Sequence, residues 1–267
     1  MPSTSIPGQI MIDLKGVSRV FRTQVGDEIT AIEDINIAVQ ENQFVTLIGP
    51  SGCGKSTLLK LVSGLLPVSR GEIRIHGDLI DEPYSDVGFV FQQPVLLPWR
   101  TVLGNVLLSP EMLNRNTSDY TGEARKLLQL AGLKNYEDKY PRELSGGMQQ
   151  RVSICRALVH NPTLLLMDEP FGALDAMTRE EMSLVLTNIW ESRRKTILFV
   201  THSIAEAVLL ADRVIVMTAR PGRIAADISI DLPRPRGFDK QSDPRFQAYA
   251  DQLRGLIFKQ TELTNAS

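Results

Sequence analysis

The feature that most restricts the fold is a glycine-rich run at residues 49–57, Gly-Pro-Ser-Gly-Cys-Gly-Lys-Ser-Thr. It follows the apolar residues 44–48 and leads into Leu-Leu-Lys-Leu-Val at residues 58–62. The run has the form G-x-x-x-x-G-K-[ST], and its flanks are the strand and the helix that this motif requires. A strand, a tight loop and a helix in this order predict an α/β fold.

The loop is predicted to bind the phosphates of a nucleoside triphosphate. Its glycines let the backbone curl so that successive N–H groups face an anion, and the following helix directs its positive dipole end there. Lys55 is expected to reach the β- and γ-phosphates, Ser56 to ligate Mg²⁺ and Thr57 to lie near the α-phosphate. A glycine-rich turn before an ordinary helix is the alternative, and the lysine, the Ser–Thr pair and the flanking strand disfavour it. The predicted cofactor-binding residues of the loop are Gly49, Pro50, Ser51, Gly52, Cys53, Gly54, Lys55, Ser56 and Thr57.

Composition and charge exclude several other classes of protein. A chain of 267 residues suits one α/β domain with a small inserted subdomain. The net charge of -2 supplies no basic field for nucleic acid. Cys53 and Cys155 form neither a disulfide framework nor a metal-ligand spacing, which fits a reducing cytosol. Residues 1–8 do not resemble a secretory signal, and no apolar stretch approaches the ~18 residues needed to cross a bilayer. We therefore expect a soluble chain, whatever its membrane partner.

Two kinds of strand are predicted from the apolar pattern. Residues 10–14, 35–39 and 72–76 alternate apolar and polar side chains, which predicts half-buried strands, antiparallel at the edge of a sheet. Near-continuous apolar runs predict parallel strands that helices cover on both faces. These runs occupy residues 87–91, 164–167, 197–200 and 214–217.

The strand pattern disappears between Gln92 and Ser145. Several prolines occur near the start of this region, and residues 123–130 have a helical composition. We therefore predict a mostly helical insertion at about residues 93–150. The whole predicted domain runs from residue 10 to 230, and residues 231–267 form a C-terminal tail with no separate regulatory domain.

A pair of carboxylates, Asp168 and Glu169, directly follows the apolar run at residues 164–167. A buried strand that ends in two carboxylates places them at the carboxyl edge of the sheet, where open α/β sheets bind ligands. Asp168 is predicted to hold the Mg²⁺ shell, through water, and Glu169 to polarise and orient the attacking water. The alternative is a strand that ends in a solvated acidic turn, and the complete phosphate loop disfavours it.

A third element, Leu-Ser-Gly-Gly-Met-Gln-Gln-Arg at residues 144–151, precedes another helical run. Ser145 is predicted to cap this helix, and Gly146 and Gly147 leave its first N–H groups unobstructed. The sequence therefore predicts a second anion-binding helix end. One nucleotide has no need of two such ends from a single chain.

These residues resemble the ATP-binding cassette (ABC) ATPases, whose signature is the LSGGQ-type sequence. The resemblance spans roughly residues 10–225, and it includes Gln92, the signature at residues 144–148, Asp168-Glu169, Ala173-Leu174-Asp175 and His202. It implies a P-loop NTPase-type core, which is a mostly parallel sheet with helices on both faces. It also implies an N-terminal antiparallel β-subdomain and an inserted α-helical subdomain. In that family two cassettes pair head to tail, so that the signature of one, here Ser145, Gly146 and Gly147, closes over the ATP held by the other.

The resemblance also implies roles for single residues. Gln92 matches the glutamine that meets Mg²⁺ and water, and His202 matches the switch histidine that contacts the γ-phosphate and keeps Glu169 and water in register. Asp175 matches the aspartate that contacts the partner cassette. By themselves, Gln92 could be an exposed loop residue, His202 a structural histidine and Asp175 the cap of a helix that begins near residue 176.

Two positions depart from the family pattern. Phe21 aligns with the aromatic residue, usually tyrosine, that stacks on adenine, and phenylalanine keeps the π-face that stacking needs. The alternative for Phe21 is a core aromatic on an edge strand. Met148 stands where many members have glutamine, which affects only the fine geometry of the signature.

Two functions from different classes fit a single cassette of this kind. One is the ATP-hydrolysing subunit of a membrane transporter, and the other is a soluble mechanical ATPase that acts on a ribosome or on DNA. The chain has one cassette, no heptad run and no cysteine cluster, which favours the transporter. Residues 94–99, Pro-Val-Leu-Leu-Pro-Trp, lie where transporter cassettes receive a helix of the membrane subunit. They could instead be local core of the insertion. A kinase or a binding-only module is disfavoured by the signature.

Softer matches resemble the nitrate/sulfonate/taurine branch of bacterial importers. They lie at residues 97–106, 173–179 and 216–224. The resemblance implies an ATPase (ATP and water to ADP and phosphate) on the cytoplasmic face of the membrane. It implies as partners a second ATPase subunit, integral membrane permease subunits and, indirectly, an extracytoplasmic solute-binding protein, with no nucleic acid.

Overall fold

The computed structural model of the chain describes residues 9–23, 26–172 and 174–265. Residues 1–8 and Ala173, which the sequence interpretation used, lie outside them. The described residues form two compact units. The first unit contains the residues up to Tyr84 and those from Lys195 onward, and the second unit is Ser85–Arg194.

Every strand that the apolar pattern predicted is present. The strands are β1 (Ile10–Arg22), β2 (Glu28–Gln40), β3 (Phe44–Ile48), β4 (Arg70–Ile75), β5 (Asp78–Leu79), β6 (Val87–Val90), β7 (Leu164–Asp168), β8 (Thr196–Val200), β9 (Arg213–Met217) and β10 (Ile224–Ser229). The helices are α1 (Lys55–Val62), α2 (Val102–Val106), α3 (Leu108–Met112), α4 (Thr121–Leu130), α5 (Gly146–Leu158), α6 (Ala176–Arg193), α7 (Ile204–Leu210) and α8 (Pro244–Asn265). Single 3₁₀ turns lie at Thr117–Tyr120, Pro141–Glu143 and Phe238–Ser242.

The first unit contains the antiparallel sheet that was predicted. Its order is β2-β1-β4-β5, and β1 pairs antiparallel with both β2 and β4. Alternate residues along β2 are buried, as one face of a half-covered sheet requires. Both β1 and β2 run for 13 residues, well beyond the short segments that the alternation indicated.

The first unit also contains the parallel strands that carry the phosphate loop. Strand β3 lies between β8 and β9 and is parallel to both. All five residues of β3 and of β8 are buried, as predicted for strands that helices cover. Helix α1 packs against β8, and helix α7 packs against β3. Strand β10, which the apolar pattern did not indicate, adds antiparallel to β9.

The second unit combines two parallel strands with helices. Strands β6 and β7 pair in parallel, and helix α5 packs against β6. Between these two strands the described residues form helices α2 to α5 and no strand. The predicted helix at residues 123–130 is α4, and α2 and α4 both pack on α5. The compact unit is larger than the predicted insertion, because it also includes β6, β7 and α6.

The described residues of the predicted C-terminal tail belong to the first unit. Helix α8 packs on α7 and buries Phe246, Ala250 and Leu253. Arg236 is buried ahead of this helix and donates to the carbonyls of Val208 and Ala211 at the end of α7 (3.1 and 2.6 Å). Burial lowers the pKa of Arg236 to about 10, so the guanidinium stays charged at neutral pH.

None of the helices in the described residues is both long enough and apolar enough to cross a bilayer.

Arg236→Ala should destabilise the first unit, because the carbonyls that Arg236 caps would lose their donor inside the protein. We expect the free energy of unfolding to fall by about 2–4 kcal/mol in a denaturant titration. The matched control is Arg245→Ala, which removes an arginine from an exposed pair with Asp243 and should leave the unfolding midpoint nearly unchanged. Equal midpoints for the two variants would contradict the capping role.

Candidate functional site

The phosphate loop lies in the first unit, between the end of β3 and the start of α1. Gly54 stands at the helix N-cap with φ +96° and has no side chain that could cap the first turn of α1. A Cβ atom on Gly54 would lie 2.4 Å from Ile32 Cγ2, so any other residue would force Ile32 or the loop to shift. Backbone donors without a side-chain cap, at the positive end of a helix, fit the phosphates of a nucleotide.

Lys55 supplies a cation to the loop. Its side chain is buried, and Nζ donates to the carbonyls of Gly49 and Pro50, both at 2.9 Å. The ammonium is thus held over the start of the loop by the loop's own backbone. Ser56 and Thr57 follow in the first turn of α1 and are half-buried. All the predicted loop residues therefore lie together, and a hydroxyl in this first turn fits the oxygen ligands that Mg²⁺ prefers.

His202 lies at the same sheet edge as the phosphate loop. Strands β3 and β8 are parallel with Leu47 opposite Val200, so the segments that follow them leave the sheet on the same side. The turn at His202 is held by its neighbours. The Thr201 hydroxyl donates to Glu206 Oε2 (2.5 Å) and accepts from the Ser203 N–H (3.0 Å). The fold therefore places His202 two residues after the end of β8, and its role as a switch histidine stays a prediction.

Phe21, near the end of β1, is half-buried. The Arg19 guanidinium lies over its ring, 4.7 Å from the centroid, which is the geometry of a cation–π contact. The ring is therefore not wholly buried in the core, and its role in stacking on adenine stays a prediction.

The second unit brings together two of the predicted catalytic residues. Strands β6 and β7 are parallel with Val90 opposite Met167, so Gln92 and Glu169 follow at the same edge. Gln92 Nε2 donates to Glu169 Oε2 at 3.2 Å. Glu169 has φ +48°, a backbone conformation that residues other than glycine rarely adopt. The surrounding structure must therefore hold Glu169 in place. Asp168, the last residue of β7, is buried beside it.

The signature and Asp175 both form helix caps in the second unit. Ser145 caps α5 by accepting from the Met148 N–H (3.3 Å), as predicted. Gly146 and Gly147 form the first turn, and a Cβ atom on Gly146 would meet nothing within 4 Å. Asp175 caps α6 by accepting from the Thr178 N–H (3.0 Å), and this bond lowers the pKa of the carboxyl. Its capping role is confirmed, while its contact with a partner stays a prediction.

Residues 94–99, which we call the 94–99 segment, present apolar side chains to solvent. Trp99 is 70% exposed and Val95 is 59% exposed, whereas the two leucines between them are half-buried. Val95 has φ +44°, which is strained for a β-branched residue. The segment is therefore held in an unusual conformation with its largest apolar side chain outward.

Two buried polar residues hold the 94–99 segment, and sequence reasoning did not single them out. Arg156 on α5 donates to the Pro94 and Val95 carbonyls, both at 2.8 Å, and burial lowers the pKa of this guanidinium. Asn105 on α2 is fully buried, accepts from the Leu97 N–H (2.7 Å) and donates to three carbonyls, including that of Leu97 (3.1 Å). A polar residue on the apolar face of each helix is the signal that could have found them.

Each unit has its own chemical groups suited to a nucleotide. The first unit has a backbone cradle for phosphate with a lysine, and the second has a carboxylate beside an amide at a strand end. Oxygen donors suited to Mg²⁺ lie in both, namely Ser56 in the first and Gln92 and Asp168 in the second. The fold and these residues define the class of P-loop α/β ATPases.

The family follows from comparison with known proteins. The family model described as "ABC transporter" matches residues 32–172, more than half of the chain. The chain belongs to the ABC transporter family, as its motifs indicated.

Relatives and solved structures agree with this. The chain is 46% identical over 228 residues to an uncharacterised ABC transporter ATP-binding protein of Methanocaldococcus jannaschii, with 85% of each chain covered. It is 40% identical over 264 residues to the taurine import ATP-binding protein TauB of Rhizobium johnstonii, covering 96% of this chain and 100% of the relative. It is 44% identical to the aliphatic sulfonates import ATP-binding protein SsuB of Bacillus anthracis (94% and 96% covered). The dimeric structure of a bacterial ABC transporter cassette superposes with a TM-score of 0.76 at 33% identity, covering 84% of this chain and all of that one.

Gly54→Ala should weaken nucleotide binding, because the new Cβ would collide with Ile32 and displace the loop. We expect the affinity for ATP to fall at least ~10-fold in a direct titration. The matched control is Gly77→Ala. Gly77 also has a positive φ (+88°), but its Cβ would meet nothing within 4 Å. This control should cost only the left-handed strain of about 1–2 kcal/mol and leave ATP affinity unchanged. Similar affinities for the two variants would contradict the assignment of the loop.

Proposed function

We propose that this chain is the ATP-binding and ATP-hydrolysing subunit that energises a membrane importer for taurine, a sulfonate, nitrate or a similar small solute. The observation that carries the proposal is the pair of half-sites, a phosphate loop with a buried lysine and a strand end where Gln92 contacts Glu169. The taurine and sulfonate import relatives support the solute class. A soluble mechanical ATPase is not favoured, because the functionally named relatives are import proteins.

In the proposed reaction the chain binds the triphosphate and activates water. The loop N–H groups and Lys55 would offset the phosphate charge. Bound Mg²⁺, held by Ser56, Gln92 and Asp168, would polarise the γ-phosphate. Glu169 would orient the attacking water and accept its proton, with Gln92 restraining one carboxylate oxygen and His202 keeping the pair in register. The Phe21 ring would stack on adenine.

A second copy of the chain would complete each site. We propose a head-to-tail homodimer in which the capped start of α5, with Ser145, Gly146 and Gly147, closes on the nucleotide of the other subunit. A helix N-terminus suits this role because its N–H groups and dipole attract phosphate. Asp175 would contact the partner beside it. The dimeric cassette structures support dimerisation. Residues 10–230 would form the ATPase domain, with the helical insertion at about residues 93–150 inside it.

The membrane partners would place the chain on the cytoplasmic face of the membrane. We propose that the 94–99 segment receives a helix of the permease, and that an extracytoplasmic solute-binding protein delivers the solute to the permease. An exposed tryptophan beside half-buried leucines is a contiguous apolar surface of the kind that partners cover. Because Arg156 and Asn105 already order the backbone of the segment, docking there would cost little conformational entropy.

Glu169→Gln tests the proposed chemistry. The amide is nearly isosteric but cannot accept a proton, so turnover should fall at least ~10²-fold while ATP affinity is kept. The ATP-bound dimer should then persist and elute early from a sizing column in MgATP. Lys55→Ala should differ by losing ATP binding itself, because the phosphate charge loses its cation. Near-normal phosphate release by Glu169→Gln would reject the assignment.

A second variant tests the proposed permease contact. Replacing Leu97 and Trp99 together with serine should leave ATP binding intact and weaken association with the permease subunits by several kcal/mol, as aromatic residues at interface centres do. A pull-down with the permease measures the association, and a thermal melt reports the fold. The control is Phe258→Ser, which removes an aromatic side chain of similar exposure (61%) from α8. If the double variant melts much earlier, the segment belongs to the core of the insertion and the docking proposal is wrong.

A further inference from the structure

The turn between β9 and β10, residues 218–223, lies directly against the phosphate loop. A Cβ atom on Gly222 would lie 2.0 Å from the Cys53 carbonyl oxygen, so the two backbones touch. Gly222 is also bonded to β2, because its N–H donates to the Ala31 carbonyl and its carbonyl accepts from the Glu33 N–H, both at 2.9 Å. The turn is therefore fixed both to β2 and against the phosphate loop.

The turn holds its own shape through Thr218. The Thr218 hydroxyl faces the Pro221 carbonyl (2.9 Å) and accepts from the Arg223 N–H (2.9 Å). The backbone of Thr218 also pairs with that of Arg223 (2.9 Å). Because both ends of the turn are tied together, the residues between them have a defined position. One of these residues is Arg220.

Arg220 reaches from this turn onto the phosphate loop. Its Nε donates to the Gly52 carbonyl at 3.0 Å. The rest of the guanidinium is also close to the same residue, since a Cβ atom on Gly52 would be 3.1 Å from Nη2 and 3.6 Å from Cζ. Gly52 has φ +74°, so both its backbone conformation and this close approach favour glycine. A cation thus caps a carbonyl in the middle of the predicted phosphate cradle.

This bond has a consequence for phosphate binding. In a planar trans peptide the carbonyl and the next N–H point in opposite directions, so a carbonyl fixed toward Arg220 directs the Cys53 N–H away from it. That N–H lies 3.4 Å from the Pro50 carbonyl, a long bond that is easily exchanged for a stronger acceptor. A charged donor on the carbonyl also polarises the peptide, which strengthens its N–H as a donor.

We propose that Arg220 is a positioning residue of the phosphate loop, which fixes the Gly52–Cys53 peptide and adds positive charge beside it, and thereby raises the affinity for nucleoside di- and triphosphates. The inference rests on the proposed function to the extent that the loop is taken to bind ATP. Arg220 lies 168 positions further along the chain than Gly52, the glycine that it contacts.

The neighbouring Arg223 offers a matched control on the same turn. Its Nη2 donates to Glu33 Oε2 at 2.5 Å, and it makes an exposed ion pair with that carboxylate. Removing Arg223 changes the charge of the turn by the same amount as removing Arg220. Of the contacts described for these two side chains, only that of Arg220 is with the phosphate loop. A comparison of the two variants therefore separates a local contact from a general electrostatic effect.

The experiment titrates the purified full chain with ATP and with ADP, in parallel for the unaltered protein, Arg220→Ala, Arg220→Lys and Arg223→Ala. We expect Arg220→Ala to raise the Kd for both nucleotides about 5- to 10-fold, which is the size of an ordinary net hydrogen bond, because Arg220 acts on the nucleotide only through the Gly52–Cys53 peptide. Arg220→Lys should recover part of the affinity, and Arg223→Ala should bind as the unaltered protein does. In an ATPase assay the loss should be in KM, with kcat unchanged, because Arg220 does not touch the water or the carboxylates in this assignment.

Several outcomes would overturn the inference. One is an unchanged Kd for Arg220→Ala, and another is an equal loss in Arg220→Ala and Arg223→Ala. If Arg220→Ala melts much earlier without nucleotide, Arg220→Lys and Arg220→Gln take its place, and unchanged affinity in both rejects the inference. A fall in kcat with KM unchanged also rejects it. If the unaltered protein does not bind ATP, the proposed function and this inference both fail. If the unaltered protein binds ATP and Arg220→Ala binds it equally well, only this inference fails.

Discussion

The close approach of backbone to backbone at the phosphate loop is the constraint on which the rest of the first unit depends. The loop can curl only because Gly54 leaves room for Ile32 and Gly222 leaves room for the Cys53 carbonyl. These contacts join the loop to β2 and to the turn after β9, while β3 holds its start between β8 and β9. A phosphate cradle made of N–H groups needs this rigidity, because backbone donors bind an anion well only when they are already oriented.

Buried charged and polar side chains perform the corresponding task in the rest of the chain. Arg156 and Asn105 hold the 94–99 segment, and Arg236 holds the end of α7. Each of them donates to main-chain carbonyls, which keeps irregular backbone hydrogen-bonded away from water. An irregular segment with this support can keep an exposed tryptophan in one place, which suits a surface that must meet a partner.

Much of the fold could be predicted from local patterns, and the exceptions have physical causes. The strands before and after the loop were predicted because buried parallel strands are continuous apolar runs. Strand β10 was not predicted, because Ile-Ala-Ala-Asp-Ile-Ser is too mixed to alternate and pairs with β9 only where that neighbour is already in place. Strands β1 and β2 were predicted too short, since the register of their pairing shifts between Leu14 and Val17 and breaks the alternation that marks a strand.

The sequence by itself determined the parts of the site whose geometry is local: the glycine positions of the loop, the lysine and hydroxyls at the start of α1, and the caps at Ser145 and Asp175. Left-handed backbone and helix capping each demand particular residue types within a few positions, so they can be recognised in a single chain. Only the tertiary structure decided that Gln92 bonds Glu169, that Arg156 holds the 94–99 segment and that Arg220 caps Gly52. Those contacts join residues that are 62 to 168 positions apart, and they depend on which strands and helices become neighbours, which leaves no periodic mark in the sequence.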